Sequence, residues 1–209
     1  MKTIILNIDK NKPEPGRLAQ AADALRSGGV IVIPTDTVYG LAASAFSAAA
    51  QKRIYALKGR SFRKPLILMP PDLHSLKSIA NIPAGAGKLI KKFWPGPLTI
   101  VLATTELGRM VSAGRKDLGA RIPASTVVQA LLKLCGFPIL TTSANPSGKP
   151  SAKSGDEASG YMKGRVELII DCGECEIGKE STVVDVTHYP GTVVREGCLN
   201  KKDILKCIS

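Results

Sequence analysis

Three short segments of the 209-residue chain carry the side chains that could do chemistry. Residues 34–40 (PTDTVYG) are rich in hydroxyls, residues 58–60 (KGR) place two cations around a glycine, and residues 141–148 (TTSANPSG) are rich in small donors. Glycine permits a backbone to approach a ligand closely, and the guanidinium fork of arginine suits phosphate or carboxylate. These residue types predict a binding site for an anion.

Each segment lies beside a predicted strand end. The segment 34–40 follows an apolar strand at 30–33, KGR precedes one at 66–69, and the third segment begins where a strand at 138–141 ends. In an open α/β sheet, ligands bind beyond the carboxyl ends of strands. Turns after strands favour the same residue types on conformational grounds alone, so simple turn chemistry is the alternative for each segment. Three such segments together favour one shared site.

The charge of the chain supports an anionic ligand. Its 29 basic and 17 acidic residues give a net charge of +12, and no acidic residue lies between Thr37 and Pro71. Six cations fall in that interval, which indicates either a solvated basic face or an anion site. The chain has only four Phe, four Tyr and one Trp, and none forms a ladder among these cations, which argues against a stacking platform for single-stranded nucleic acid. The six cations are Lys52, Arg53, Lys58, Arg60, Arg63 and Lys64.

Other familiar chemistries fit the sequence poorly. The stretch 85–88 (GAGK) lacks the flanking residues of a phosphate-binding loop, no GxGxxG occurs, and neither His74 nor His188 stands in a triad motif. Five cysteines with a lone CxxC at 172–175 favour reduced thiols over a zinc site, and no protein-bound metal is expected. No apolar run approaches the roughly 20 residues that span a bilayer. We therefore expect a cytoplasmic protein without membrane contact.

The hydrophobic pattern predicts the α/β class: a twisted open mixed sheet with flanking helices, in one domain over 1–209 whose core is about 14–200. Strands and helices alternate early in the chain, and strands cluster late. Helices are expected at 15–26, 48–57, 72–79, 86–93, 125–134, 154–162 and 201–208. Strands are expected within 1–9 and at 30–33, 66–69, 98–103, 120–122, 138–141, 168–171, 181–186 and 192–195.

Six motifs occur in an order and spacing that resemble the YrdC family. They are PTDTVYGLAASAF at 34–46, KGR followed by KPL at 58–66, WPGPLT at 94–99, ARIP at 120–123, TSANPSG at 142–148 and ESTVVD at 180–185. The signature of that family is a KxR pair and an SxN triplet, here Lys58 with Arg60 and Ser143 with Asn145. The resemblance implies a twisted α/β sheet around a basic concave cavity.

The resemblance also implies an activity. The expected enzyme is a nucleotidyltransferase that joins L-threonine, bicarbonate or CO2, and ATP into threonylcarbamoyl-adenylate and pyrophosphate, which partner proteins then use to modify tRNA. It implies threonine contacts at Thr35, Arg121, Thr141 and Ser181. It implies nucleotide contacts at Lys58, Arg60, Ser143, Asn145, Ser151 and Arg195, with Lys58 and Arg60 facing the triphosphate as the catalytic pair. Because metal sites want carboxylates, Mg2+ is expected to arrive on ATP.

Some residues depart from the family pattern, and alternatives stay open. Ser61 and Met69 stand where family members often have Pro and His, so a threonine contact from that His is not expected here. We expect a short, single-domain form with an open cavity. The main alternative is a protein that binds double-stranded RNA or tRNA through its surplus charge without turnover. Carbamoyl-adenylate chemistry of the hydrogenase-maturation type is a third possibility.

Overall fold

All the strands of the computed structural model, which describes residues 2–208, join into one mixed sheet. In chain order they are β1 (Ile4–Asn7), β2 (Ile31–Pro34), β3 (Tyr39–Ser44), β4 (Ile67–Met69), β5 (Ala80–Asn81), β6 (Leu98–Thr104), β7 (Asp117–Ala120), β8 (Ile139–Ser143), β9 (Leu168–Asp171), β10 (Thr182–Asp185) and β11 (Thr192–Arg195). Across the sheet the order is β1-β9-β2-β3-β8-β4-β7-β6-β10-β11, and β5 pairs with β6.

The sheet combines both kinds of pairing. The pairs β1–β9, β2–β9, β4–β7 and β6–β10 are parallel, and the other neighbouring pairs are antiparallel. The predicted α/β class with a mixed sheet and flanking helices is confirmed. The helices are α1 (Pro15–Arg26), α2 (Ala48–Lys58), α3 (Leu73–Ile79), α4 (Ala84–Phe93), α5 (Glu106–Val111), α6 (Thr126–Cys135), α7 (Gly155–Met162) and α8 (Lys201–Ile208).

Two apolar cores cover the two faces of the sheet. Ile31 and Ile33 pack with residues of α1 and α6 on one face, whereas Val30 and Val32 pack into the larger cluster on the other. Successive side chains of a strand point to opposite faces, so a central strand covered on both sides has to be apolar throughout. This explains why the stretch 30–33 carries no polar residue.

Most predicted elements are present, with a few differences. The bounds of α1, α8, β9 and β11 agree with the prediction, whereas the predicted first strand is limited to Ile4–Asn7 and Met1 lies outside the described residues. β3, β5 and α5 were not predicted, and β7 ends at Ala120 instead of beginning there. Arg121 therefore follows a strand and is free to turn inward. Within residues 2–208, no helix has the length and apolar character that a membrane span requires.

Gly59 has a structural role that the sequence analysis did not predict. It ends α2 in the left-handed conformation, with φ of 59°, and its N–H and that of Arg60 donate to the carbonyls of Ala56 and Tyr55. Glycine is the usual residue at this capping position because it has no Cβ penalty there. The glycine of KGR thus reverses the chain between Lys58 and Arg60, so that the two cations reach different surroundings.

Candidate functional site

A cleft of about 90 Å³ opens where the motif segments meet. One water-sized group needs roughly 10–15 Å³ on this measure, so the enclosed part accommodates a solute of amino-acid size. Seven of the ten predicted site residues line it: Thr35, Arg60, Arg121, Thr141, Ser143, Ser181 and Arg195. The other lining residues are Thr37, Val38, Tyr39, Gly40, Pro65, Ile67, Met69, Thr142 and Glu180.

Arg121 is the buried cation of the cleft, with a relative exposure of 3%. Its Nε donates to the carbonyl of Gly96, its Nη1 to Thr37 Oγ1 at 2.8 Å, and its Nη2 forms a salt bridge with Asp36 Oδ1 at 2.5 Å. Three of its five N–H groups are thereby used. Two donors remain on a fixed guanidinium that lines the cleft, which is the arrangement needed to bind a carboxylate.

The β2–β3 turn orients these groups through a relay of hydroxyls. Thr37 Oγ1, which accepts from Arg121, lies 2.9 Å from Thr35 Oγ1, and Thr35 donates in turn to the carbonyl of Val38 at 2.6 Å. Thr35 Oγ1 also accepts from the backbone N–H groups of Thr37 and Val38. The hydroxyl of Thr35 is therefore engaged in the turn itself, as the turn-chemistry alternative predicted, while the residue lines the cleft.

The side chain of Thr141 lies close to a glycine of β3. A Cβ at Gly40 would lie 3.2 Å from Thr141 Oγ1, tighter than ordinary van der Waals contact. Gly40 pairs with Ser143 at the end of β8, so the two strands bring the 34–40 and 141–148 segments together. Met69 and Ile67 of β4 add an apolar wall beside them. The predicted convergence of the segments is present.

Lys58 does not line the cleft but supports one of its edges from behind. Its Nζ donates to the carbonyl of Ser143 at 2.5 Å, to the carbonyl of Asn145 at 2.7 Å and to Asn145 Oδ1 at 3.0 Å, and it lies 3.3 Å from Ser143 Oγ. The carbonyl of Lys58 accepts from the N–H of Ser147 at 2.8 Å. The structure thus brings Lys58 and the SxN triplet into direct contact, and Asn145 shares the buried position of Lys58.

The protonation of Lys58 is sensitive to pH near neutrality. Burial, together with the neighbouring charge of Arg60, lowers the pKa of Lys58 to about 8, and Glu180 opposes the shift. The ammonium form therefore prevails below pH 8 and is lost above it.

For ATP, the ligand that the resemblance implies, we expect the affinity to fall about tenfold as the pH rises from 7.5 to 9.5, because the neutral amine no longer attracts phosphate. Isothermal titration at constant ionic strength measures this. A Lys58→Met variant should show no such step. A step of equal size in the variant would assign the titration to another group.

Arg60 stands at the outer edge of the cleft and is held by the loop that follows it. Its Nη1 donates to Thr142 Oγ1 at 3.1 Å, and its Nε and Nη2 donate to the carbonyls of Lys64 and Pro65 at 3.3 and 3.2 Å. Ser61 is exposed and does not line the cleft. These backbone carbonyls therefore hold Arg60 in place where it lines the cleft.

Arg195 is the third arginine of the cleft. Its Nε and Nη2 donate to the carbonyl of Ser181 at 3.2 and 2.8 Å, and Nη2 also donates to Ser181 Oγ at 3.1 Å. Ser181 Oγ lies 2.9 Å from Thr99 Oγ1. Ser151 is outside the cleft lining, but its hydroxyl donates to Glu180 Oε1 at 2.8 Å. Arg60, Arg121 and Arg195 thus all line the cleft, and the predicted basic cavity is present.

The sequence reasoning missed three polar residues of this site. Asp36 and Thr37 fix Arg121, and Glu180 contacts Arg195 and Ser151. Asp36 and Thr37 lie inside the first motif segment, and Glu180 begins the ESTVVD motif. The sequence signal that could have identified Asp36 and Glu180 is the presence of a carboxylate inside a motif of a strongly basic chain.

No cysteine or histidine is among the described residues that line the cleft. Burial raises the pKa of both Cys172 and Cys175 to about 12, so these thiols stay protonated at neutral pH. Among residues 2–208 no group of three or more His, Cys, Asp or Glu side chains is arranged to hold a metal ion. His74 and His188 are exposed.

Comparison with known proteins gives consistent matches over nearly the whole chain. The Sua5/YciO/YrdC family model, described as "Telomere recombination", matches residues 23–197. The threonylcarbamoyl-AMP synthase of Pyrococcus abyssi is 41% identical over 208 residues, which are 99% of this chain and 61% of that protein.

Solved structures give the same result. The crystal structure of P. abyssi Sua5 complexed with L-threonine has a TM-score of 0.93 and 41% identity, covering 99% of this chain and 61% of that one. Escherichia coli YciO has a TM-score of 0.88 at 31% identity, covering 99% of this chain and 100% of that one. The chain spans about three fifths of the length of the P. abyssi protein. The resemblance carried by the six motifs is confirmed: the chain belongs to the Sua5/YciO/YrdC family.

Proposed function

We propose that the chain is an L-threonylcarbamoyladenylate synthase, which forms threonylcarbamoyl-AMP, pyrophosphate and water from L-threonine, bicarbonate and ATP. The observation that carries this proposal is the division of the cleft. Buried Arg121 offers two unused guanidinium donors beside the hydroxyl-rich β2–β3 turn, and Arg60, Arg195 and Ser143 stand around the more open part. The first arrangement suits an amino-acid carboxylate, and the second suits a phosphate chain.

The chemistry requires positioning more than a protein nucleophile. The amine of threonine captures CO2 as a carbamate, and a carbamate oxygen attacks the α-phosphorus of ATP as the bond to pyrophosphate breaks. Negative charge builds on the departing pyrophosphate, where Arg60 and Arg195 stabilise it. Lys58 holds the SxN loop and adds its positive charge from behind Ser143.

In this proposal threonine binds to Arg121 through its carboxylate, with Thr35, Thr141 and Ser181 around it. Ser143 faces the nucleotide, whereas Asn145 supports Ser143 through Lys58, and Ser151 adjoins the nucleotide site through Glu180. Mg2+ arrives with ATP and is held mainly by the phosphate oxygens, because Glu180 supplies the single carboxylate among the described residues that line the cleft. Carboxylates and phosphate oxygens are the ligands that Mg2+ takes in such sites.

We infer that one domain carries this activity, since all the described strands of residues 2–208 belong to one sheet. We also infer a cytoplasmic site of action, which agrees with five cysteines that all remain free thiols. The adenylate would then pass to proteins that modify tRNA.

The release of pyrophosphate tests the function. We expect release that requires ATP, bicarbonate and threonine together, and a fall of kcat/KM by about 100-fold or more in Arg60→Ala, because one cation at the leaving group is lost. Arg63→Ala serves as the matched control, because Arg63 lies in the same loop, three residues after Arg60, and does not line the cleft. A protein that only binds RNA would release no pyrophosphate under any of these conditions. Normal turnover in Arg60→Ala would remove Arg60 from the mechanism.

A further inference from the structure

Glu180 is an unexpected residue in this cleft. Among the described residues that line it, Glu180 carries the sole negative charge, beside three arginines in the same lining. The cleft is proposed to receive a triphosphate, and a fixed carboxylate in that place opposes the binding of any anion. Its presence therefore needs a physical explanation.

Both carboxylate oxygens of Glu180 are occupied by residues assigned to the nucleotide. Oε1 accepts from Ser151 Oγ at 2.8 Å, and Oε2 lies 3.2 Å from Arg195 Nη1. A phosphate oxygen accepts from hydroxyl and guanidinium donors in the same way as a carboxylate oxygen does. The carboxylate thus satisfies the donors that a phosphate would use.

Arg195 does not need Glu180 to keep its place. Three hydrogen bonds from Nε and Nη2 already anchor it to Ser181. The chain beyond it is also fixed, because a Cβ at Gly197 would lie 2.4 Å from the carbonyl oxygen of Glu180. Removing the Glu180 side chain therefore leaves the guanidinium positioned, with Nη1 exposed to the cleft.

The charge of Glu180 reaches the rest of the anion site. Burial lowers the pKa of Lys58 and of Arg60, and the negative charge of Glu180 opposes the shift at both. Its side chain is 42% exposed, so it can rotate into solvent without moving β10.

We propose that Glu180 is an affinity-determining residue whose carboxylate takes the place of a phosphate group in the cleft and competes with the phosphate chain of the nucleotide for Arg195 and Ser151. This inference rests on the proposed nucleotide site. Because the carboxylate returns to the same donors when the anion leaves, it restrains ATP affinity and favours the departure of pyrophosphate.

Binding of sodium pyrophosphate to the purified protein, measured by isothermal titration at fixed ionic strength, tests this proposal. We expect Glu180→Gln to bind pyrophosphate about five- to tenfold more tightly than the wild type, because one contact-distance negative charge is removed. Glu180→Ala is a second variant that removes the same charge, in case Glu180→Gln folds poorly. It is also expected to bind pyrophosphate more tightly than the wild type. Glu196→Gln removes an equal charge next to Arg195, but Glu196 pairs with Lys201 at 3.4 Å and should change the affinity less than twofold.

Unchanged or weaker binding in both Glu180 variants would overturn the proposal, and weaker binding would make Glu180 a positioning residue for Arg195 instead. An equal gain in pyrophosphate affinity in Glu196→Gln would show that the effect comes from the net charge alone. That result would also overturn the proposal. If the wild type binds no pyrophosphate, both this inference and the proposed function fail. If pyrophosphate binds as expected but threonine stimulates no turnover, the proposed function alone fails.

Discussion

Replacing Arg121 by methionine is expected to lower the free energy of unfolding by about 3–5 kcal/mol, because Asp36 then remains as a buried carboxylate without its cation. Asp36 is 3% exposed, and no described residue donates to its second oxygen, Oδ2, even in the intact protein. Urea denaturation at pH 7 measures the loss. The same variant should lose threonine binding, since the fixed guanidinium is absent.

The double variant Asp36→Asn/Arg121→Met separates stability from recognition. Removing both charges should recover about 2 kcal/mol relative to Arg121→Met alone, because no unpaired charge stays buried. Threonine binding should remain lost in the double variant. If the free energy of unfolding of Arg121→Met lies within about 1 kcal/mol of the wild-type value, the ion pair is not buried as described.

Replacing Lys58 by methionine is expected to weaken ATP binding by about 10- to 100-fold, as charge-assisted hydrogen bonds are each worth roughly 1.5–3 kcal/mol. Three oxygens, on Ser143 and Asn145, lose their common donor. The SxN loop should loosen, which faster amide hydrogen exchange over 143–149 would report. Threonine affinity should change less than about threefold, because Arg121 and its partners are untouched.

Lys52→Met is the matched control for this experiment. Lys52 lies on the same helix, α2, but is exposed and outside the cleft lining. Lys52→Met changes the net charge by the same amount as Lys58→Met, so it accounts for the general attraction of ATP to a basic protein. Equal losses of ATP affinity in the two variants would contradict the specific role of Lys58.

The location of the site was predictable because the motif segments adjoin strand ends, and strand ends of one sheet converge. The sequence shows the apolar strand at 30–33 and the turn after it, from which Thr35 is placed correctly. The orientation of Lys58 was not predictable, since its ammonium contacts residues 85 and 87 positions away in the chain. A pattern of cations cannot distinguish one that supports a loop from one that faces a ligand.

β3 illustrates a second limit of the sequence. Its residues Tyr39–Ser44 include glycine, two alanines and a serine, which have little intrinsic preference for a strand. The strand forms because β2 and β8 flank it on both sides and satisfy its backbone groups. Similarly, Asp36 appeared to be a turn residue, and only the fold brings it to Arg121, 85 positions away.

The measurement that tests the account most directly is the identification of the product by mass spectrometry. The purified chain is incubated with ATP, Mg2+, 13C-labelled bicarbonate and, in separate reactions, each of threonine, serine and alanine. We predict an adenylate that contains both threonine and the labelled carbon, formed in the threonine reaction and lost in Arg121→Met. A folded chain that binds ATP but forms no labelled adenylate, or forms it equally with alanine, would contradict the account.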